Sequence, residues 1–396
     1  KKIKGCYVMN NIKQYLTYDE GLLTAEETEN ISAFLKKYNM EGTELYMNEV
    51  HPRTENLFQN DEEKQKWVEE FSDLCVKRIH CSYWAYPTSF LTKSHFRELV
   101  ERLETLEEII NYYGDLKGIH MYERWAQEYE LACALGAQAY VFHTIDYAAI
   151  DGAWEFTISR DEILQAMAGM VQTFLMYLEE KKLLTENSPL IELENAGWGL
   201  EYGAQTSEDF AAILEQIYDP ANKVRIGWDI NHLLHAIGWN EKKDGACFML
   251  QDFEITPKMA ELQRMYGSEP KKFAMKWIES NLLDPAVVGK TNCLHLSDCE
   301  LKEVEYFRNG RLQFSFGEKI DSLSTRDEKS DYGVGIVLDK YDSHLPMGRG
   351  VLLAEEMKKL IAELQKKNDT FVLLHELKNS RPLVPDLEAQ LAFLGK

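Results

Sequence analysis

The chain has 396 residues, 45% of them apolar, and a formal net charge of −22. That length suits a large α/β barrel, and the apolar share supports a large core. The negative field disfavours non-specific nucleic-acid binding, and no run is long and apolar enough to cross a membrane.

Strand-like and helix-like patterns alternate along the chain. Ile3–Met9 is the first short apolar run and stands as strand one. Thr24–Tyr38 is amphipathic and opens with the capping box Thr24-x-x-Glu27. Thr43–Met47 reads as strand two, Glu62–Cys75 as a helix, and Val76–Tyr83 as strand three. Helices Phe96–Tyr113 and Met121–Leu135 precede strand four, Ala139–Ile145. A long helix, Asp161–Lys182, leads to strand five, Leu190–Glu194. Its helix, Ser207–Tyr218, is begun by Ser207 as cap, and strand six is Val224–Asp229. A mostly helical stretch follows, with Pro257–Tyr266 and Glu269–Leu282, before strand seven, Cys293–Leu296. The polar stretch Cys299–Tyr341 carries a hairpin signal at Arg308-Asn309-Gly310-Arg311. Leu353–Lys367 is a helix, Phe371–Leu377 strand eight, and Pro385–Leu394 a closing helix.

Eight strands alternating with helices is the pattern of a (β/α)8 TIM barrel. A doubly wound open sheet competes. The eight-fold count and the lack of a Gly-rich phosphate turn after strand one favour the barrel. Residues 1–396 therefore read as one TIM-barrel domain with insertions at about 238–288 and 299–343, after strands six and seven. In a barrel these loops lie on the catalytic face and form a lid.

The seven cysteines (Cys6, Cys75, Cys81, Cys133, Cys247, Cys293 and Cys299) include no C-x-x-C. They fit a reducing compartment, not a disulfide scaffold. No signal-type apolar region follows Lys1–Gly5, so a cytoplasmic protein is expected.

Four apolar runs end in metal-ligand residue types. They deliver Glu194, Asp229, His295 with Asp298, and Glu376 to strand ends. Three carboxylates and one imidazole suit a divalent cation. Each has a plainer reading. Glu194 would pair with Arg78 or Arg225, Asp229 would cap a helix, and Glu192 would stand behind the site. His375 should face the other way by strand alternation, between barrel and helices. His80, His143, His232 and His344 also fall at strand ends or turns. Tyr83, Trp84, Tyr86, Trp198, Trp228 and Trp239 offer either a stacking wall for a sugar ring or ordinary packing.

In the order and spacing of Leu190–Asn195, Asp229-Ile230-Asn231-His232, His295-Leu296-Ser297-Asp298, His344–Gly350 and Leu374-His375-Glu376, the chain resembles the xylose-isomerase-like barrels, which include endonuclease-IV-type enzymes. The resemblance implies a metal site of Glu194, Asp229, His295 and Glu376, holding one divalent ion (Mn, Mg, Co or Zn). It also implies that Glu194 and Glu376 act as base and acid in a sugar or cyclitol isomerase or epimerase. In such enzymes the metal holds adjacent carbonyl and hydroxyl oxygens while a proton is removed next to the carbonyl. His80, His143, His232, Trp198, Asp298 and His344 are the candidate substrate contacts. A lyase on an oxidised glycoside would share the proton abstraction. An endonuclease-IV-type phosphodiesterase would hold three Zn, with His80, His143, His232, Asp342 and His344 as added ligands. A non-catalytic metal-bound barrel is the remaining alternative. The expected partner is a small carbohydrate-like molecule, not nucleic acid or membrane. A homo-oligomer is expected by analogy.

Overall fold

Eight parallel strands close on themselves. They are β1 (Gln14–Tyr18), β2 (Gly42–Tyr46), β3 (Val76–His80), β4 (Ala139–His143), β5 (Leu190–Glu194), β6 (Val224–Asp229), β7 (Thr291–Leu296) and β8 (Val372–His375). The order around the barrel follows the chain, and β1 pairs with β8 to close it. The computed structural model describes residues 12–18, 23–47, 56–82, 84, 87–93, 105–143, 145–146, 149–150, 153–154, 159–195, 202–235, 237–240, 245–248, 256–299, 301–303, 307–308, 311–312, 334–336, 344–377 and 383–395. The fold is the expected (β/α)8 barrel, with helices between the strands.

Strands five and six match the sequence expectation to the residue. Strand one does not. The barrel's first strand is Gln14–Tyr18, and Ile3–Met9 lies outside the described residues. Gln14 and Thr17 are polar yet buried, so this strand shows no apolar alternation. His375 explains Gln14. The His375 Nε2–H donates to Gln14 Oε1 at 3.0 Å, and Nδ1 accepts from Gln390 of the closing helix (Leu383–Leu394) at 2.9 Å. His375 therefore packs between barrel and helix, as strand alternation predicts.

Helix ends depart from expectation where local hydrogen bonds intervene. Asn30 splits the first amphipathic stretch into Ala25–Glu29 and Ile31–Lys37, with its Nδ2 donating to Glu26 O. Thr105 is extended and caps Leu106–Tyr113, so no single helix runs from Phe96 to Tyr113. Thr206, not Ser207, caps Ser207–Gln216, its hydroxyl accepting from Asp209 N. The backbone of Phe307–Arg308 pairs antiparallel with that of Arg311–Leu312, in keeping with the hairpin signal, while Asn309 and Gly310 lie outside the described residues.

Two long connections follow β6 and β7. Ile237–Asn240 and Gly245–Phe248 join Leu301–Glu303 and Val334–Ile336 in one four-stranded antiparallel sheet. Segments from both connections thus share one sheet. Pro270–Leu282 buries Phe273, Trp277 and Ile278 in the main core, and Trp277 Nε1 donates to Leu233 O at 2.8 Å.

The barrel interior is charged. Arg78 of β3 donates from Nε to Glu44 Oε2 at 2.8 Å and from Nη2 to Glu192 Oε1 at 2.5 Å. All three residues are buried, and Tyr15, Cys293 and Leu374 form an apolar trio in the same barrel. Gly227 of β6 makes room for this arrangement. A Cβ there would lie 2.5 Å from Glu192 Oε1, and the carboxylate is pinned by Arg78. Gly227→Ala should cost about 1–3 kcal/mol by overpacking, read as a lower urea midpoint.

Burial alone would raise the Glu192 carboxyl, but Arg78, helped by His295, overrides it and holds the group at about 2 against an ordinary 4.5. Between those values the folded chain binds fewer protons than the unfolded one, so this pair stabilises above 4.5 and fades as pH falls towards 2. Acid unfolding of the wild type should show this limb, and Arg78→Met should flatten it while lowering stability at neutral pH by about 3–5 kcal/mol.

Candidate metal centre

Four side chains meet at the C-terminal ends of four consecutive strands. Glu194 ends β5, Asp229 ends β6, His295 sits near the end of β7, and Glu376 follows β8 directly. All are at most 1% exposed, and each offers a ligand atom within 4.8 Å of those of the other three. His295 Nδ1 lies 3.0 Å from Glu376 Oε2 and 3.7 Å from Glu194 Oε1. The sequence expected a possible Arg78 or Arg225 partner for Glu194. Arg78 instead engages Glu44 and Glu192, and Arg225 bonds Asn222 and Val224 O.

Local turns hold the four in place. Asn195, just beyond β5, accepts from Asp229 N at 2.6 Å and donates to Asp229 O at 3.1 Å, tying the ends of β5 and β6 together. Asp229 Oδ1 accepts from Asn231 N and His232 N at 2.6 and 3.2 Å, so the capping reading holds for that oxygen. Asp229 Oδ2 is buried and has no hydrogen-bond partner among the described residues. A bound ion is one way to satisfy such an oxygen. Three carboxylates, one of them with an unsatisfied oxygen, and one imidazole fit a divalent cation.

Three predicted histidines ring this cluster. His80 Nε2 is 3.2 Å from Glu194 Oε2, and its Nδ1 donates to Cys81 O at 3.0 Å. His232 Nδ1 donates to Asn195 O at 2.9 Å, while Nε2 lies 3.5 Å from Asp229 Oδ2. His344 Nε2 is 3.4 Å from Glu376 Oε1 and 3.8 Å from Asp229 Oδ2. The backbone of His143 is paired with that of Glu194; its side chain, and Trp198 and Asp342 altogether, lie outside the described residues. Of the aromatic wall, Trp228 is core, packed edge-on to Phe210, and Trp84 is buried against Tyr112 and Tyr113. Tyr83 and Tyr86 are outside the described residues, as is the side chain of Trp239.

Tyr46 was not foreseen. Its hydroxyl donates to Glu376 Oε1 at 2.6 Å, and its ring stacks on His80 at 4.3 Å and 13°. Its position two residues after Glu44 on β2 was the available signal, because strand ends converge in a barrel. Burial first, then Glu376, pushes the phenol well above its ordinary range, so it donates and does not ionise.

Asp298 does not join the four. Its carboxylate accepts from the backbone N–H groups of Cys299, Gly348, Gly350, Val351 and Leu352, at 2.8 to 3.2 Å. Its own backbone forms a bridge with Leu345. Asp298 thus anchors the turn that carries His344, which itself sits at φ 38. Gly350 is required there, since a Cβ would meet Cys299 O at 1.9 Å.

The centre attracts positive charge. Burial disfavours a cationic His295, but Glu194, Cys293 and Glu376 outweigh it and keep the proton on well above the usual range. Burial raises the Asp229 carboxyl, opposed by His232 and reinforced by Glu376.

No protein-family model and no curated protein matches the chain. Solved structures do. A D-tagatose 3-epimerase-like protein superposes with a TM-score of 0.50 at 15% identity, covering 97% of both chains. Endonuclease IV from Thermus thermophilus gives 0.49 at 13% identity, over 97% of this chain and 99% of that one. D-psicose 3-epimerase from Clostridium cellulolyticum gives 0.48 at 10%, over 97% and 98%. The likeness to the first agrees with the (β/α)8 barrel fold and goes no further. The chemistry has to be argued from the site.

Asp298→Asn replaces one acceptor with an amide that faces backbone donors. It should cost about 1–3 kcal/mol and raise hydrogen exchange across 344–352, measured by thermal unfolding and mass-resolved exchange.

Proposed function

We propose that this barrel is a divalent-metal-dependent isomerase or epimerase for a sugar, cyclitol or similar hydroxy-carbonyl compound. One observation carries the reading. Two carboxylates, Glu194 and Glu376, flank one buried imidazole, and each is bonded to a separate member of a stacked aromatic pair, His80 and Tyr46. That supplies two oriented proton carriers around one centre.

Glu194, Asp229, His295 and Glu376 would hold the cation, which when bound would polarise a carbonyl and stabilise the negative charge that develops as the neighbouring C–H is broken. A carbon acid beside a carbonyl is too weak for a free carboxylate to deprotonate quickly. Glu194 takes the proton at an oxygen, and Glu376 returns one. Tyr46 O–H and His80 Nε2 orient these two groups. His80, His143, His232, His344 and Trp198 would meet substrate hydroxyls or a sugar face, with Asp298 acting through the His344 turn. We read 1–396 as one barrel domain, with the stretches near 238–288 and 299–343 as its lid. The antiparallel sheet shared by both stretches supports that reading.

A lyase would use the same first proton transfer. A multi-zinc phosphodiesterase draws support from His232 and His344, each within 4 Å of a carboxylate of the cluster. The net charge of −22 opposes it, because a nucleic-acid backbone would be repelled. Metal counting separates the two: about one ion per chain is expected here, and about three Zn would favour the phosphodiesterase.

The decisive assay is deuterium uptake from deuterated water at the carbon next to the carbonyl, over ketoses, inososes and keto-glycosides with Mn present. Exchange should occur with at least one substrate class and vanish in Glu376→Gln. Full exchange in that variant removes Glu376 from the mechanism.

A further inference from the structure

We propose that Glu192, clamped by Arg78, is a positioning residue for the metal centre: it takes the Nε2–H of His295 and thereby aims the Nδ1 lone pair at Glu194, Asp229 and Glu376. This rests on reading those residues as a metal site.

The geometry begins with strand alternation. Glu192 and Glu194 are two residues apart on β5 and face the same way, one layer apart along the barrel. The His295 ring bridges the two layers. Its Nδ1 faces Glu376 and Glu194 at 3.0 and 3.7 Å, and its Nε2 faces Glu192 Oε1 at 3.5 Å. A neutral imidazole carries hydrogen on one nitrogen and a lone pair on the other. A ligand nitrogen needs the lone pair, so the other must carry hydrogen, and the group it meets selects the tautomer.

Glu192 is built to be that group. Oε1 accepts from Arg78 at 2.5 Å and Oε2 accepts from Asn292 Nδ2. Arg78 is braced in turn by Glu44 at 2.8 Å. Gly227 leaves the space that the carboxylate fills. The gap of 3.5 Å to Nε2 is about half an ångström longer than a good N–H···O bond. Nε2 makes no hydrogen bond of ordinary length to a described residue, and the Cys293 thiol is the other side chain that interacts with this ring from the lower layer.

A second cation is the rival use of this layer, because Glu192, Cys293 and His295 also bring ligand atoms within 4.8 Å of one another. Arg78 decides against it. Its guanidinium is permanently charged and already sits on the Glu192 oxygen that a cation would need. In the lower layer Arg78 thus already fills the place of a cation between Glu44 and Glu192, and the role of that layer is to orient the upper one.

The test is competition between the protein and a chromophoric chelator for Zn, in the wild type, Glu192→Gln and Cys293→Ala. Glu192→Gln should weaken binding about 10–100-fold, the usual effect of losing the partner behind a ligand histidine. Cys293→Ala should leave affinity and stoichiometry unchanged. Wild-type affinity in Glu192→Gln overturns the proposal, and so does loss of one bound ion in Cys293→Ala. Nitrogen-15 NMR of the Zn-loaded wild type gives a readout that does not depend on any variant folding. It should show His295 with hydrogen on Nε2 and the metal-shifted resonance on Nδ1. The opposite pattern overturns the assignment. If the wild type binds no divalent ion, the metal-site reading itself falls with it, whereas tight wild-type binding with an unaffected Glu192→Gln sinks this inference alone.

Discussion

The constraint on which this molecule depends is the burial of carboxylates inside one barrel. Glu44, Glu192, Glu194, Asp229 and Glu376 are all at most 1% exposed. Ionised carboxylates away from water need paired charge and hydrogen bonds. The barrel meets this need differently at two levels. Arg78 places one fixed positive charge between the two carboxylates of the Glu44–Glu192 level. Among the described residues, the Glu194–Asp229–Glu376 level has imidazoles, a phenol and backbone donors around it and no arginine on its carboxylates. That arrangement suits a cation and proton traffic.

The same division explains how the sequence could be read. Glu194, Asp229, His295 and Glu376 end recognisable apolar runs, because a parallel strand buried on both faces is dense in Val, Ile and Leu up to the point where it meets the site. Their convergence follows from barrel topology, so strand order alone brought them together. β1 was hidden for the opposite reason. Its buried Gln14 and Thr17 break the apolar pattern, and the partner of Gln14 Oε1, His375, is 361 positions away. No local pattern carries such information. The Arg78–Glu192 pair was illegible in the same sense, and Tyr46 had only its place at a strand end as a signal. A tyrosine or arginine in a strand reads as half-exposed until its cross-barrel partner is known.

Asp298 shows a subtler limit. Sequence placed it correctly near the site but could not distinguish a side chain that meets ligand from one that gathers five backbone N–H groups. Both uses need a carboxylate at a strand end. The glycines at 348 and 350 were the available hint, since close backbone approach to an anion favours residues without a Cβ. The turn they form delivers His344 to Glu376 and Asp229. Asp298 thus reaches the site through the chain, not through space.

The ring of histidines turns the remaining question into one of hydrogen bookkeeping. A carbonyl oxygen only accepts, so His80 Nδ1, on Cys81 O, and His232 Nδ1, on Asn195 O, must carry hydrogen. Each ring then turns Nε2 towards a carboxylate oxygen, Glu194 Oε2 at 3.2 Å and Asp229 Oδ2 at 3.5 Å. Two lone pairs facing each other repel. Either a proton lies between the pair, on the imidazole or on the carboxyl, or a metal ion does. The first arrangement leaves one central ion with donors around it, suited to gripping the hydroxyls of a neutral polyol. The second gives a multi-ion centre suited to a phosphodiester anion. In the proposed function, substrate class and metal number are therefore linked through what each imidazole meets.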